Sequence, residues 1–442
     1  MAWGAHDPGI STCARPADLA GEFARRFGPY PADRWTYGLP WPSAVSCAEM
    51  GSALAAAIEQ RAAAARWVLA DRLPDWDLGI VVVSEPHSAI EGLWHGVDAD
   101  HPLAAHASAA AAGEGLRGVY RAVDALVGSL RAALPDATVA LFSLGGMGPN
   151  QSDVASMALL PEFLFRRAFG RPLLEMREDW RAQPDGVPGL NDDEDWNAAV
   201  NARLPAPGSR DPAPASSGGF EAALVRAAHV VARRSPAAIR WRAEGALQRL
   251  ERARSGERNR PSAMPPGRQS LDWMPAYRYQ PWWSDMPAIA LPSFYDGRIR
   301  LNLANREARG LVAMNDYERT LDELEADLGR CTNPVNGRPV VAGIERPGRG
   351  RDATRMGPSE ADLVVVWNAT LGFEHPVLGR IGPLPYRRTG GHTGPLGMAY
   401  LCGEGIAAGD FAVKSSFAMP PTLLAMAGVR DIGSCTGTAF DT

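Results

Sequence analysis

Lysine is almost missing from this 442-residue chain: Lys414 is the single one, and arginine supplies the rest of the positive charge. Acidic residues outnumber basic ones, leaving a net charge of -5, which excludes a strongly basic surface of the kind that grips nucleic acid or acidic lipid. The five cysteines, Cys13, Cys47, Cys331, Cys402 and Cys435, contain no Cys-x-x-Cys pair and are odd in number, which excludes a zinc knuckle and a paired disulfide framework. No apolar run is long enough to span a bilayer. The opening "MAWGAHDPGI" has neither the basic stretch nor the apolar core of a signal peptide, so a cytoplasmic location is expected. Neither an internal repeat nor a Gly-rich phosphate loop of the P-loop or dinucleotide type is present. Ser143 lies between Phe142 and Leu144 and so is not a Gly-x-Ser-x-Gly elbow.

What is there reads as a globular chain. Hydrophobic residues make up 46% and charged ones 21%, enough for a large core in one to three domains. Residues 51–73 repeat apolar positions at helical spacing through Leu54, Ile58, Ala65, Val68 and Leu69. "DLGIVVVSE" (77–85) is β-branched and reads as a buried strand; a helical period returns over 114–134, and "ATVALFS" (137–143) reads as a second strand. This β–α–β alternation predicts an α/β fold with a mostly parallel sheet sandwiched by helices, in a single domain. A Pro/Gly/Ser/Asp-rich stretch at 182–219 predicts a mobile insertion, 221–251 a helix, and 253–270 a further loop. Short strands are expected at 288–292, 298–303, 339–345, 361–367 and 397–403, with a helix at 316–329.

Four stretches carry candidate chemistry. In "SEPHSAIEGLWHGVDADHP" (84–102), His87 and Glu91 are four apart, so one helical turn would put both on one face within reach of a metal; the alternative is a polar loop packed by Leu93 and Trp94. In "LFSLGGMGPNQSD" (141–153), Ser143 is a hydroxyl without an adjoining histidine, Asn150 could hydrogen-bond a ligand, and Asp153 could do the same or cap the following helix. In "RRTGGHTGPLG" (387–397), His392 is framed by glycines, as either a metal ligand or a surface turn. In "RIRLNLANREARGLV" (298–312), Arg300, Asn302 and Arg306 could form an oxyanion-binding edge, or Arg306 and Glu307 could pair locally on a half-exposed strand. Tyr277, Tyr279, Trp282 and Trp283 could line a substrate or cap a core edge.

Together with "WGAHDPG", "NPVNGRPVVAGI", "ADLVVVW" and "PPTLLAMAGV", these stretches, in this order, resemble the alkaline phosphatase superfamily, in particular its type I phosphodiesterase, nucleotide pyrophosphatase and predicted phosphohydrolase-phosphomutase members. The resemblance implies a parallel sheet whose carboxyl edge presents two divalent cations roughly 4 Å apart, held by Asp and His, with a Thr or Ser attacking phosphorus. It also implies that the family's strand-ending Asp and its nucleophile are missing here, so that the chain reads as N-terminally truncated; Ser11 and Thr12 are not promoted in their place. Where the family has a histidine after the serine, this chain has Leu144 and Gly145, and where it has a second histidine in the first loop, this chain has Glu91.

The resulting expectation is a relative without the usual two-metal phosphohydrolase activity on its own. His87, Glu91 and His392 remain as ligands for one divalent cation, zinc or manganese, or for none; Asn150, Arg300, Asn302 and Arg306 are the expected substrate contacts. Two alternatives stand beside it: an active metal-dependent phosphoric ester hydrolase using a reduced site or a partner chain, and a transferase or ligand-binding protein of secondary metabolism. The expected partner is a small phosphate ester or organic ligand, with a homo-oligomer or partner chain covering the vacant sheet edge, and neither nucleic acid nor membrane.

Overall fold

Ser43 has extended backbone, and its hydroxyl accepts the Ser46 N–H at 3.1 Å, starting the helix Ala44–Arg66. The computed structural model describes residues 13–36, 42–150, 152–183, 186–191, 194–211, 273–429, 431, 433 and 435–440. They fall into two compact units, one within Met1–Pro149 and Thr389–Thr442, the other within Asn150–Arg388. The opening segment with Ser11 and Thr12, the expected helix at 221–251 and the loop at 253–270 lie outside the described residues.

The first unit is built on two long helices, Ala44–Arg66 and Ala109–Ala133, at the places where the apolar spacing predicts them. Met50, Leu54, Ala57 and Ile58 of one interlock with Leu116, Val119 and Leu126 of the other in a single buried cluster. Gly51 and Gly115 mark the crossing: a Cβ on Gly51 would collide with the backbone of Gly115, so the helices approach more closely than side chains allow. The short helix Glu85–Leu93 joins this core through Ala89, Ile90 and Leu93. Two antiparallel ribbons complete the unit. Val139–Ser143 pairs with Met398–Cys402, and after a break at Leu144–Gly145 the strand Gly146–Pro149 pairs with Gly390–Gly394.

The second unit carries a four-stranded sheet in the order Ala288–Leu291, Gly297–Leu301, Leu363–Trp367, Val341–Glu345, with every pairing antiparallel. These strands, and the helix Tyr317–Gly329, lie where hydrophobic alternation and spacing predict them. Helical turns run from Asp153 to Phe169, wide and π-type over Ala155–Leu159 and α-helical from Leu160. Leu160, Phe163, Phe165, Ile299, Leu301, Leu363 and Phe373 are among this unit's fully buried side chains. Part of the Pro/Gly-rich stretch at 182–219 is ordered: Trp196–Asn201 forms a helical turn with Trp196 and Val200 buried.

The parallel α/β sheet of an alkaline-phosphatase-like core is not the fold. Among the described residues no pair of named strands is parallel. The stretch 77–84 belongs to no strand, with Ile80 71% and Val82 70% exposed, so the expected β–α–β unit does not form. A β-branched run suits a strand; it does not supply a partner. Val139–Ser143 takes its partner from 398–402, which runs the opposite way and brings hydrogen bonds that 77–84 does not.

Candidate metal centre

The helix Glu85–Leu93 opens with Pro86 in its first turn, where a missing N–H costs nothing, and four residues of spacing then place His87 and Glu91 on one face. The helix is pinned at its start. Buried Glu85 accepts from Arg61 Nε at 3.1 Å and Nη2 at 2.6 Å, and from the Tyr30 hydroxyl at 3.1 Å. Burial and the Glu85 carboxylate both push the Tyr30 phenol well above its usual range, so it stays a proton donor.

His392 reaches the same place from the far end of the sequence. It sits within the strand Gly390–Gly394 rather than in a surface turn. The Thr389 N–H donates to the Glu91 carbonyl at 2.8 Å, and the Thr393 hydroxyl donates to the Pro149 carbonyl at 2.5 Å. Gly390 is required at this junction, since a Cβ there would strike the Ile90 carbonyl. The helix carrying two candidate ligands and the strand carrying the third are therefore joined backbone to backbone.

His87 Nε2 lies 2.7 Å from His392 Nε2 and 3.6 Å from Glu91 Oε1, and one ligand atom from each of the three residues falls within 4.8 Å of the others. The two imidazole rings are 4.7 Å apart and tilted by 38°. Glu91 is buried, the His87 side chain is 28% exposed and His392 is exposed, so the trio opens to solvent on one side. Ligands about 2.0–2.2 Å from a tetrahedral zinc sit about 3.4 Å from each other. The histidine–glutamate spacing fits that. The imidazole pair is at hydrogen-bond distance, with one Nε2 as donor and the other as acceptor, and must open by about 0.7 Å to share an ion. A set of two imidazoles and one carboxylate, open on one side, suits a single zinc or manganese. The two-cation set does not fit. Leu144 is 56% exposed and offers only carbon, Gly145 offers only backbone, and among the described residues no second group of three ligands exists.

The neighbouring histidines are structural. His95 Nε2 meets the Ser108 hydroxyl at 3.0 Å and Nδ1 meets the Thr389 hydroxyl at 3.3 Å. Burial, then repulsion from His101 and His106, pulls His95 down to about 4, so it is neutral at neutral pH. His101 is buried, accepts the Leu103 N–H at 3.0 Å, and is likewise lowered by burial. Asp98 accepts from Trp94 Nε1 and from the Asp100 N–H, and so closes a turn. Ser143 donates to the Gly145 carbonyl at 2.9 Å.

The four expected substrate contacts all lie in the second unit. Arg300 is buried and bonds Glu307 and the carbonyls of Gly357 and Glu360. Arg306 forks onto Asp362 at 2.6 and 2.8 Å and also reaches Glu307 at 3.0 Å, which is the local pairing expected, extended into a buried network. Asn302 donates toward the carbonyls at 283, 284 and 286 and accepts the Gly310 N–H, which makes it a splint between two loops. Asn150 accepts the N–H groups of Ser152 and Asp153. Thus Arg300 and Arg306 meet on Glu307, while Asn302 and Asn150 each serve separate local turns.

Tyr279 and Trp282 are buried edge-on against Phe165, and Tyr277 stacks obliquely on Trp283, so the aromatic group packs the core edge. Sequence reasoning missed Glu162, fully buried yet bonded to Arg166, the Leu174 N–H and the Tyr279 hydroxyl. Burial pushes its carboxyl up against those bonds. Its i, i+4 spacing to Arg166 was the available signal, but the apolar residues around it read simply as core. All five cysteines are free thiols. No helix among the described residues is long and apolar enough to cross a membrane. Comparison with protein-family models, curated proteins and solved structures gives no match.

Proposed function

We propose that this chain binds one divalent cation at His87, Glu91 and His392 and hydrolyses a phosphoric ester there, without the two-cation chemistry of the alkaline phosphatase superfamily. The observation that carries the proposal is the convergence of one buried carboxylate and two imidazoles, from segments joined by the Thr389–Glu91 hydrogen bond, on a point open to solvent. The order of sequence motifs supports the substrate class. The antiparallel sheets remove the support that a shared fold would have lent.

A divalent cation supplies Lewis acidity toward a phosphoryl oxygen and lowers the pKa of water. The protein's part is positional. Glu91, buried and acceptor-only when ionised, supplies the negative charge that favours a cation over a proton. The histidines supply neutral Nε2 lone pairs, which requires the proton shared across the 2.7 Å contact to leave or to move to Nδ1. Cation affinity should therefore fall as pH drops. The exposed face of His392 leaves room for the ester, and the Glu85–Arg61 pair holds the helix against the pull of the ligands.

A second reading is favoured by the 2.7 Å distance itself: the imidazoles form a plain hydrogen bond, and the protein is a non-catalytic binder. Titration of chelator-treated protein with zinc and with manganese, alongside assays of aryl phosphate mono- and diesters, separates the two. Stoichiometric binding and turnover that both vanish in His392→Ala support the hydrolase. Binding without turnover leaves a cation-binding protein, and no binding removes the centre altogether.

A further inference from the structure

We propose that Asn150, Asp153, Arg387 and Arg388, within the Asn150–Arg388 unit, form a site for a phosphate group that carries a proton, either free phosphate or a phosphate monoester. The site does not depend on the cation centre, whose ligands all lie in the other unit.

The geometry starts at Asn150, which is 6% exposed. Its Oδ1 accepts the backbone N–H groups of Ser152 at 3.4 Å and Asp153 at 3.1 Å, which fixes the orientation of the amide. Its Nδ2 is then a buried donor with no acceptor. One turn on, Asp153 is 1% exposed, and a single oxygen, Oδ2, takes Arg387 Nη1 at 2.8 Å, Arg388 Nε at 2.9 Å and Arg388 Nη2 at 2.8 Å. Its other oxygen, Oδ1, is a buried acceptor with no donor. Orphaned buried polar atoms are uncommon in native proteins, and here an unmet donor and an unmet acceptor occur within one capping turn without meeting each other.

A group that satisfies both must accept from Asn150 Nδ2 and donate to Asp153 Oδ1. A singly protonated phosphate does so: a P–O⁻ oxygen accepts and the P–OH donates. Two guanidiniums border the site, at the N-terminal end of the helical turns that begin at Asp153, and both favour an anion. The arginine side chains keep 13% and 10% exposure, so the cluster borders solvent. Arg387 lies over Phe294 at 5.5 Å and Arg388 over Tyr295 at 5.9 Å, which holds the guanidiniums in place and sets aromatic faces beside the site for an aryl ester. Sulfate has the shape and charge but no proton, and its oxygens would face Asp153 Oδ1 as acceptor against acceptor.

The test is calorimetric titration of the chelator-treated full chain with inorganic phosphate, phenyl phosphate and sulfate. Phosphate should bind at least about tenfold tighter than sulfate, since a hydrogen bond to a charged group is at stake. Affinity for phenyl phosphate should rise as pH is lowered from about 8 to about 6, as its proton-bearing monoanion becomes populated, whereas inorganic phosphate keeps a P–OH throughout that range and needs no such drop. Asn150→Ser keeps a capping oxygen but removes Nδ2, and should weaken phosphate about tenfold with an unchanged circular dichroism spectrum. Asp153→Asn keeps the shape and should erase the preference for phosphate over sulfate. Phenyl phosphate binding as tightly as phosphate assigns the site to monoesters; phosphate binding alone assigns it to the free ion. Equal affinity for phosphate and sulfate, no binding of either, or an Asn150→Ser variant that binds as the parent does would overturn the proposal. Removing the cation before titration keeps this result separate from the fate of the hydrolase reading.

Discussion

The backbone N–H of Thr389 donates to the carbonyl of Glu91 at 2.8 Å, so the main chain of one candidate ligand is tied to the strand that carries another, His392. The backbone positions of the helix and the strand are thus set by packing and main-chain bonds, and only the imidazoles would have to move apart to share a cation.

Removal of a ligand should act on binding far more than on folding. His392→Ala removes an exposed imidazole and should weaken zinc binding by more than about tenfold while the melting temperature of the cation-free protein stays put. Glu91→Gln, an isostere at a buried position, should do the same by removing the charge. Titration calorimetry on both variants checks this. Unchanged zinc affinity in both would leave the trio without a role in binding.

Gly390→Ala should move His392 without touching it. A Cβ at residue 390 would strike the Ile90 carbonyl, and the strand must shift to make room. The expected cost is about 1–3 kcal/mol in urea unfolding, together with weaker cation binding. Weaker binding in a variant that keeps all three ligands would tie affinity to backbone placement.

Acid should destabilise the fold through His95. Its folded pKa of about 4 lies below the usual value of 6.5, because the buried ring resists charging. Between those values the unfolded chain binds a proton that the folded chain does not. Stability is therefore full above about pH 6.5, falls as pH drops, and levels off near pH 4, a loss of about 3 kcal/mol. Urea midpoints across this range measure it, and His95→Gln should flatten the slope. An unchanged slope in that variant would assign the proton uptake elsewhere.

In the second unit, Arg306→Met should cost about 3–5 kcal/mol by stranding the Asp362 carboxylate, whose side chain is fully buried. The double change Arg306→Met with Asp362→Leu should recover much of that loss, because it removes both charges together. If the double variant is no more stable than the single one, the network positions backbone beyond its charges, through the Arg306 bonds to the Leu301 and Ala353 carbonyls.

Local periodicity was readable and pairing was not. The helices near 51–73, 114–134 and 316–329 and the strands near 288–291 and 363–367 follow from spacing alone, since each buries one stripe or face, while the strand near 139–143 follows from its apolar run and stays partly exposed. Direction of pairing depends on partners far along the chain, and Val139–Ser143 turns out to join Met398–Cys402 instead of 77–84. At the centre, the i, i+4 spacing of His87 and Glu91 was legible. Their meeting with His392 follows only from the Gly390–Gly394 strand and its bond to Glu91. Arg300, Arg306 and Asn302 drew attention as exposed recognition groups because sequence gives no view of burial, and each instead has several internal partners.

His87 and His392 are 305 residues apart along the chain. Closing so long a loop carries a substantial entropic cost, growing slowly with length, and an ion gripping both ends would act as a removable crosslink on the unfolded ensemble. Nascent chains shorter than 392 residues would have no such grip, so ion capture would become a late checkpoint of biosynthesis, reporting that the distant tail has docked.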